Sequence, residues 1–341
     1  MSEALFEILR GFRLDAEPVS CEPYGCGHIN ATYLAVTASG RRYILQKINH
    51  HTFRDVAGLM ENITSVTEFL RTKTDDPRSV LTLVKTADGA SYLHAQEGYW
   101  RVYDFVEDTI CLQQPETDED FYQSAVGFGT FQQLLAEFPA EKLHETIPNF
   151  HNIEFRIGGL RDAVARDEAG RLGKVRWMAD ELLGRSDEMC LAERLHREGQ
   201  LPKRVTHCDT KVNNLLFDER DRPLCVIDLD TTMPGYVLSD FGDFIRTGAN
   251  TGAEDDPELD RVGVDMEIFR SFSKGYLESA ASFLTDVERE TLTFGAQMLT
   301  YMQTVRFLTD YLDGDTYYKI KFPEHNLQRS YAQFKLLQSI E

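Results

Sequence analysis

Basic residues are scarce in this chain of 341 residues: 36 Lys and Arg stand against 56 Asp and Glu, a formal charge of −20. That balance argues against nucleic acid or an anionic membrane surface as a partner. The six cysteines form no Cys-x-x-Cys pair and read as reduced cytoplasmic thiols rather than a disulfide framework or a zinc site. The nine histidines show no paired ligand spacing, which removes a zinc hydrolase from consideration. No apolar run approaches a membrane span, and Met1–Glu7 lacks the basic start and long apolar core of a signal peptide. Repeats and low-complexity blocks are also missing. What remains is a chain with 42% hydrophobic residues, enough for a sizeable core in two lobes.

Periodicity divides the chain in two. Residues 3–13 read as an amphipathic helix with Leu5, Ile8, Leu9 and Phe12 on one face. Strand-like text runs from about 19 to 48, and a helix of roughly 54–73 carries Val56, Leu59, Met60, Ile63, Val66 and Leu70 on one stripe. Strands near 80–85, 91–95 and 98–106 follow. Beyond Val106 the pattern is mainly helical, at about 119–137, 156–167, 172–198, 265–283 and 286–313. The expected architecture is α+β and two-lobed. A small β-rich nucleotide-binding lobe spans 1–106, and a larger, mostly α-helical catalytic and substrate-binding lobe spans 107–341.

The most informative segment is His207-Cys208-Asp209-Thr210-Lys211-Val212-Asn213-Asn214. An Asp followed five residues later by Asn, with a His two residues ahead, is the catalytic-loop spacing of kinase-fold phosphotransferases. Two short apolar runs, Leu215–Phe217 and Leu224–Ile227, flank a polar turn and read as a hairpin leading into Asp228-Leu229-Asp230. Such a hairpin brings Asn214 and Asp228 together at its open end beside Asp209. One base and two metal ligands then meet, the set that phosphoryl transfer from ATP requires.

The front lobe offers phosphate contacts. Gly25 and Gly27 lie in a loop between strands, where backbone N–H groups can approach a phosphate closely. Lys47, on the following strand, is expected to hold the α- and β-phosphates, with alternation setting it opposite its apolar neighbours. Glu61 or Glu68 on the next helix would pair with it, Glu61 being preferred. Residues 103–107 would form the inter-lobe strand that reads adenine.

Taken in order, these motifs resemble the aminoglycoside phosphotransferase/choline kinase superfamily over nearly the whole chain. Within it, Gly27–Tyr33, Asp209–Asn214 and Val305–Leu312 look most like the N-acetylhexosamine 1-kinases. The resemblance implies Asp209 as catalytic base, Asn214 and Asp228 as Mg²⁺ ligands with Asp230 assisting, and ATP as co-substrate. It also implies a structural role for Asp240, which braces the catalytic loop beside His207. Asp240-Phe241-Gly242 spells the metal-binding tripeptide of protein kinases but lies too far beyond Asp209, so Asp228 is the better metal ligand. Aminoglycoside enzymes usually carry Gly before the base, whereas this chain has Cys208, which weakens any carry-over of antibiotic specificity.

For the acceptor, planar polar groups and aromatic faces suit a neutral sugar. Arg306, Asp310, Tyr311, Tyr317 and Tyr318 form one group, with Arg306 and Asp310 sharing a helix face as joint sugar readers or as a salt bridge. His28, just after the glycine loop, could reach over the acceptor. The expectation is an ATP-dependent kinase acting on the anomeric hydroxyl of an N-acetylhexosamine. A cationic aminoglycoside, choline or other amino-alcohol acceptor is the alternative, since −20 overall would attract it, and a silent nucleotide-binding module is a third reading.

Overall fold

The computed structural model describes residues 2–25, 27, 29–95 and 98–341. The expected role of His28 lies outside the described residues. Helix α1 (Ser2–Arg10) precedes strands β1 (Pro18–Pro23), β2 (Ala31–Thr37) and β3 (Arg42–Ile48), and helix α2 (Val56–Arg71) follows. Strands β4 (Leu83–Val84), β5 (Leu93–Ala95) and β6 (Gly98–Asp104) complete an antiparallel sheet of order β1-β2-β3-β6-β4, with β5 also paired to β6.

Both faces of this sheet are apolar, and each is covered by a different helix. Tyr43, Leu45, Trp100 and Val102 pack on Leu5, Ile8 and Leu9 of α1. Ile44, Ile48 and Tyr103 face the other way, onto Val56, Leu59, Met60 and Ile63 of α2. The α2 face is the one turned toward the second lobe, because its apolar cluster continues into Val205, Cys225 and Leu229.

The second lobe is mostly helical. It contains β7 (Ile110–Cys111), α3 (Asp118–Leu134), α4 (Ile153–Arg166), α5 (Leu172–Gly184), α6 (Ser186–Met189) and α7 (Leu191–Arg197). Then come β8 (Arg204–Thr206), β9 (Leu215–Phe217), β10 (Pro223–Val226), β11 (Met233–Gly235) and α8 (Val237–Gly248), followed by α9 (Met266–Ala280), α10 (Asp286–Leu312) and α11 (His325–Ile340). The expected helix 172–198 is therefore three helices, the first ending at Gly184, a poor helix former. Helices α8 and α11 had no counterpart in the sequence reading.

Helix α8 carries Asp240-Phe241-Gly242, and the glycine has a packing function. A side chain at Gly242 would overlap the backbone of α10 at Gly295, and one at Gly295 would overlap Leu238. The two helices thus touch backbone to backbone, which sets Asp240 under the His207–Asn214 loop. Among the described residues, no helix is long and apolar enough to cross a membrane.

Candidate active site

The site is built on the hairpin. Strands β9 and β10 pair antiparallel, with Val226 opposite Leu215 and a register shift between Pro223 and Cys225. One bond beyond the ladder, the Ile227 N–H donates to the Asn214 carbonyl at 2.9 Å. Asn214 and the Asp228 turn therefore meet at the open end. Asn214 Nδ2 donates to the backbone oxygen of Asp209 at 2.9 Å and to its Oδ2 at 3.1 Å. With the amide nitrogen so used, Asn214 Oδ1 is left as a free-facing acceptor.

The loop holding Asp209 is fixed from below. Asp240 accepts the His207 N–H at 2.7 Å, the Cys208 N–H at 2.8 Å and Gln132 Nε2 at 2.8 Å. Burial pushes its carboxyl up to about 6, opposed by the His207 ring and the two backbone N–H groups, which favour the carboxylate. The His207 ring bonds the Ile227 carbonyl through Nε2 at 2.9 Å, and its own carbonyl accepts from Thr231 at 2.7 Å. Cys208 adopts φ 63°, a left-handed conformation costing a non-glycine residue about 1–2 kcal/mol, held by the Asp240 bond. Its thiol is buried and pushed well up by desolvation, so it is packing, not a nucleophile.

Asp228 is also left-handed, at φ 57°. It has an accessible surface in the cleft, yet dense protein surrounds it and Asp230 and Asp209 stand nearby. Desolvation and those two carboxylates push it up to about 6, against the pull of Arg101 and His207. A carboxylate crowded by two others is stabilised by an arriving cation. Asp230 is differently placed. Its Oδ2 accepts from Asn30 Nδ2 at 2.6 Å, and its Oδ1 forms a 2.6 Å ion pair with Arg101 Nη1, off the line of an aligned hydrogen bond. Both oxygens are engaged, so Asn214 Oδ1 and the Asp228 carboxylate are the candidate cation ligands, with Asp230 behind them.

The expected front-lobe pair does not form. Lys47 is opposite Trp100 and Ala31, on the same sheet face as Tyr43 and Leu45, and its ammonium lies over the Trp100 ring at 5.5 Å. That is the α1 face, away from the face that packs toward the second lobe. Glu61 bonds His144 Nε2 at 3.0 Å instead, with 72% of its side chain exposed. On the cleft face at this level stand Gln46 and its cross-strand neighbour Arg101, bonded through Gln46 Oε1 at 2.9 and 2.8 Å. Gly25 has φ 75°, a conformation natural to glycine, at the start of the loop ending in Asn30. Where the lobes join, Ile44 and Val106 share an apolar cluster with Leu216 and Ile227.

Next to Asp209 a cavity of about 230 Å³ opens, lined by Phe150, His151, Lys211, Arg246, Arg306 and Tyr318 among others. Lys211 Nζ lies 2.7 Å from Asp209 Oδ1. The Arg306 guanidinium sits 5.4 Å from the Phe150 ring and 5.5 Å from that of Tyr318. Arg306 and Asp310 do not act as a pair. Asp310 instead accepts the N–H groups of Thr316, Tyr317 and Tyr318 at 2.7–2.9 Å and Asn326 Nδ2 at 2.8 Å. It folds the 316–318 loop back so that Tyr318 enters the cavity, while Tyr317 is 65% exposed. Arg101, Lys211, Phe150 and His151 were not singled out from sequence. Lys211 had a signal, its place inside the motif, whereas the others are distant in the chain.

Comparison with known proteins places this geometry in context. The sequence profile of the phosphotransferase enzyme family matches residues 20–272. An aminoglycoside phosphotransferase from Alicyclobacillus acidocaldarius is similar in structure, with TM-score 0.63 and 12% identity over 98% of this chain and 94% of that one. An amicoumacin kinase in complex with AMP-PNP, Ca²⁺ and Ami superposes with TM-score 0.62 and 13% identity, covering 98% and 93%. A choline kinase from Streptococcus pneumoniae gives TM-score 0.53 and 15% identity, covering 94% of each chain.

Proposed function

The chain belongs to the phosphotransferase enzyme family, and we propose that it transfers the γ-phosphoryl group of ATP to a hydroxyl of a neutral sugar, the anomeric hydroxyl of an N-acetylhexosamine. The observation that carries the acceptor class is Arg306. Its guanidinium faces the cavity beside Asp209, between the rings of Phe150 and Tyr318, and carries no carboxylate partner among the described residues. The other lining cations are neutralised, Arg246 by Asp243 and Glu254, and Lys211 by Asp209. An ammonium acceptor would meet an uncompensated positive charge. A sugar finds a five-donor fork for its hydroxyl and acetamido oxygens, with ring faces for its C–H surface.

In the reaction Asp209 accepts the hydroxyl proton as that oxygen attacks the γ-phosphorus and the bond to the ADP oxygen breaks. Asn214 holds the Asp209 carboxylate through Oδ2, and Lys211 holds it through Oδ1. Asn214 Oδ1 and Asp228 would bind Mg²⁺. Two oxygen ligands suit an ion that takes its remaining ligands from phosphates and water. When bound, that ion supplies charge neutralisation on the phosphates. Ile44, Val106, Leu216 and Ile227 would enclose adenine.

ADP release measured with Mg-ATP across GlcNAc, GalNAc, glucose, choline and kanamycin tests this reading. Turnover on an N-acetylhexosamine well above the amines is expected. Turnover on choline or kanamycin alone would keep the fold and the base but overturn the acceptor class.

A further inference from the structure

The N-lobe cation of this cleft is on neither the strand nor the sheet face where a phosphate-binding lysine was expected. Lys47 faces α1, and the same level of the cleft face is occupied by Gln46. Beside Gln46, on β6, stands Arg101, whose side chain is only 1% exposed although it is charged. Its Nε and Nη2 both bond Gln46 Oε1, and its Nη1 reaches across the lobes to Asp230, itself 3% exposed.

The bonds around this pair form a circuit that the backbone from Asn30 to Thr32 closes. Gln46 Nε2 donates to Thr32 on β2 at 3.1 Å. From Asp230 the circuit returns to β2 through Asn30, which also accepts the Asn49 N–H at 2.9 Å. Thr32, Gln46, Arg101, Asp230 and Asn30 therefore link three N-lobe strands, the end of the glycine loop and the turn that carries Asp228. A buried ion pair is often no more stable than a well-packed apolar pair, so stability alone does not account for this one.

We propose that Arg101 is the positioning residue of the cation-binding turn, tying the N-lobe sheet to Asp228 through Asp230. It rests on the phosphotransferase reading above. Arg101 does not touch the nucleotide, because each of its three nitrogens is already engaged and its side chain is enclosed. It acts through Asp230, holding the Asp228 carboxylate in the cleft and Asn30 against the same turn. Residues that orient metal ligands in this way typically change metal affinity by about 10–100-fold when removed.

Calorimetric titration of ADP, once with Mg²⁺ and once with EDTA, tests this without requiring turnover or an acceptor. The wild-type chain should bind ADP more tightly with Mg²⁺. Arg101→Met, and the charge-balanced double variant Arg101→Met/Asp230→Asn, should bind ADP in EDTA within about threefold of wild type but lose most of the Mg²⁺ enhancement, by about tenfold or more. Asn30→Ala should reduce it less. Should both Arg101→Met variants fail to show a cooperative melt, Arg101→Lys decides: it keeps the charge but loses the fork to Gln46, and should show a partial loss. An unchanged Mg²⁺ enhancement in the folded variants would overturn the inference. A wild-type chain that binds no ADP would overturn the phosphotransferase reading, and this inference with it.

Discussion

Asn214 Nδ2 donates to both the backbone oxygen and the carboxylate of Asp209, at 2.9 and 3.1 Å, so one amide fixes the orientation of the proposed base. The same residue accepts the Ile227 N–H through its backbone oxygen, next to the Asp228 turn. The proposed base and the proposed cation ligands are thereby tied together, held on the hairpin by the Ile227–Asn214 backbone bond and on α8 by Asp240.

Asp209→Asn keeps the side-chain shape but removes the proton acceptor. General-base removal typically costs about 10²–10⁴-fold, and kcat should fall by at least that much. ADP affinity measured by calorimetry should stay close to wild type. Near-wild-type turnover would exclude Asp209 as base.

Lys47→Ala should change the KM for ATP and kcat by less than about twofold, because the ammonium lies over Trp100 on the α1 face and not in the cleft. Steady-state kinetics check this. A large rise in the KM for ATP would mean that Lys47 reaches phosphate after all.

Arg306→Gln removes the guanidinium fork but leaves the Phe150 and Tyr318 rings. Losing hydrogen bonds from a charged donor is worth roughly 1.5–3 kcal/mol, so the KM for the sugar should rise about tenfold or more, with the KM for ATP unchanged. Arg306→Glu should additionally improve binding of amine acceptors. Equal effects on both substrates would point to a folding defect instead.

His151 gives a pH signature in stability. Burial pushes its ring down to about 4, helped by Arg306, Arg246 and Arg156 and opposed by Asp243. The unfolded chain, with an ordinary value near 6.5, binds more protons than the folded one between about 4 and 6.5. Stability contributed by the neutral ring is therefore present above pH 6.5 and lost as pH falls toward 4. Urea unfolding of wild type and His151→Gln across this range should show a shallower slope in the variant. Parallel curves would remove His151 from the acid response.

Much of this was legible in the chain because it is local. The β9–β10 hairpin follows from two apolar runs around a polar turn, and α2 from a stripe of apolar residues that all reach the core. The face of Lys47 was not legible, since Tyr43 and Leu45 on one side and Ile44 and Ile48 on the other are all apolar. Alternation separates two faces but does not say which one α1 covers. Arg306 and Asp310 have salt-bridge spacing on α10, yet the pairing depended on the 316–318 loop, whose N–H groups claim Asp310 first. Arg101 reads as a surface residue on a strand until a distant Asp is folded against it. Side chains whose partners are remote in sequence leave no periodic trace.

The most direct test of the central claim is ³¹P NMR of wild-type protein incubated with Mg-ATP and GlcNAc. The expected spectrum shows ADP and, in equal amount, one new phosphomonoester signal split by the anomeric proton. ADP accompanied only by inorganic phosphate, or no loss of ATP with any sugar, would contradict it.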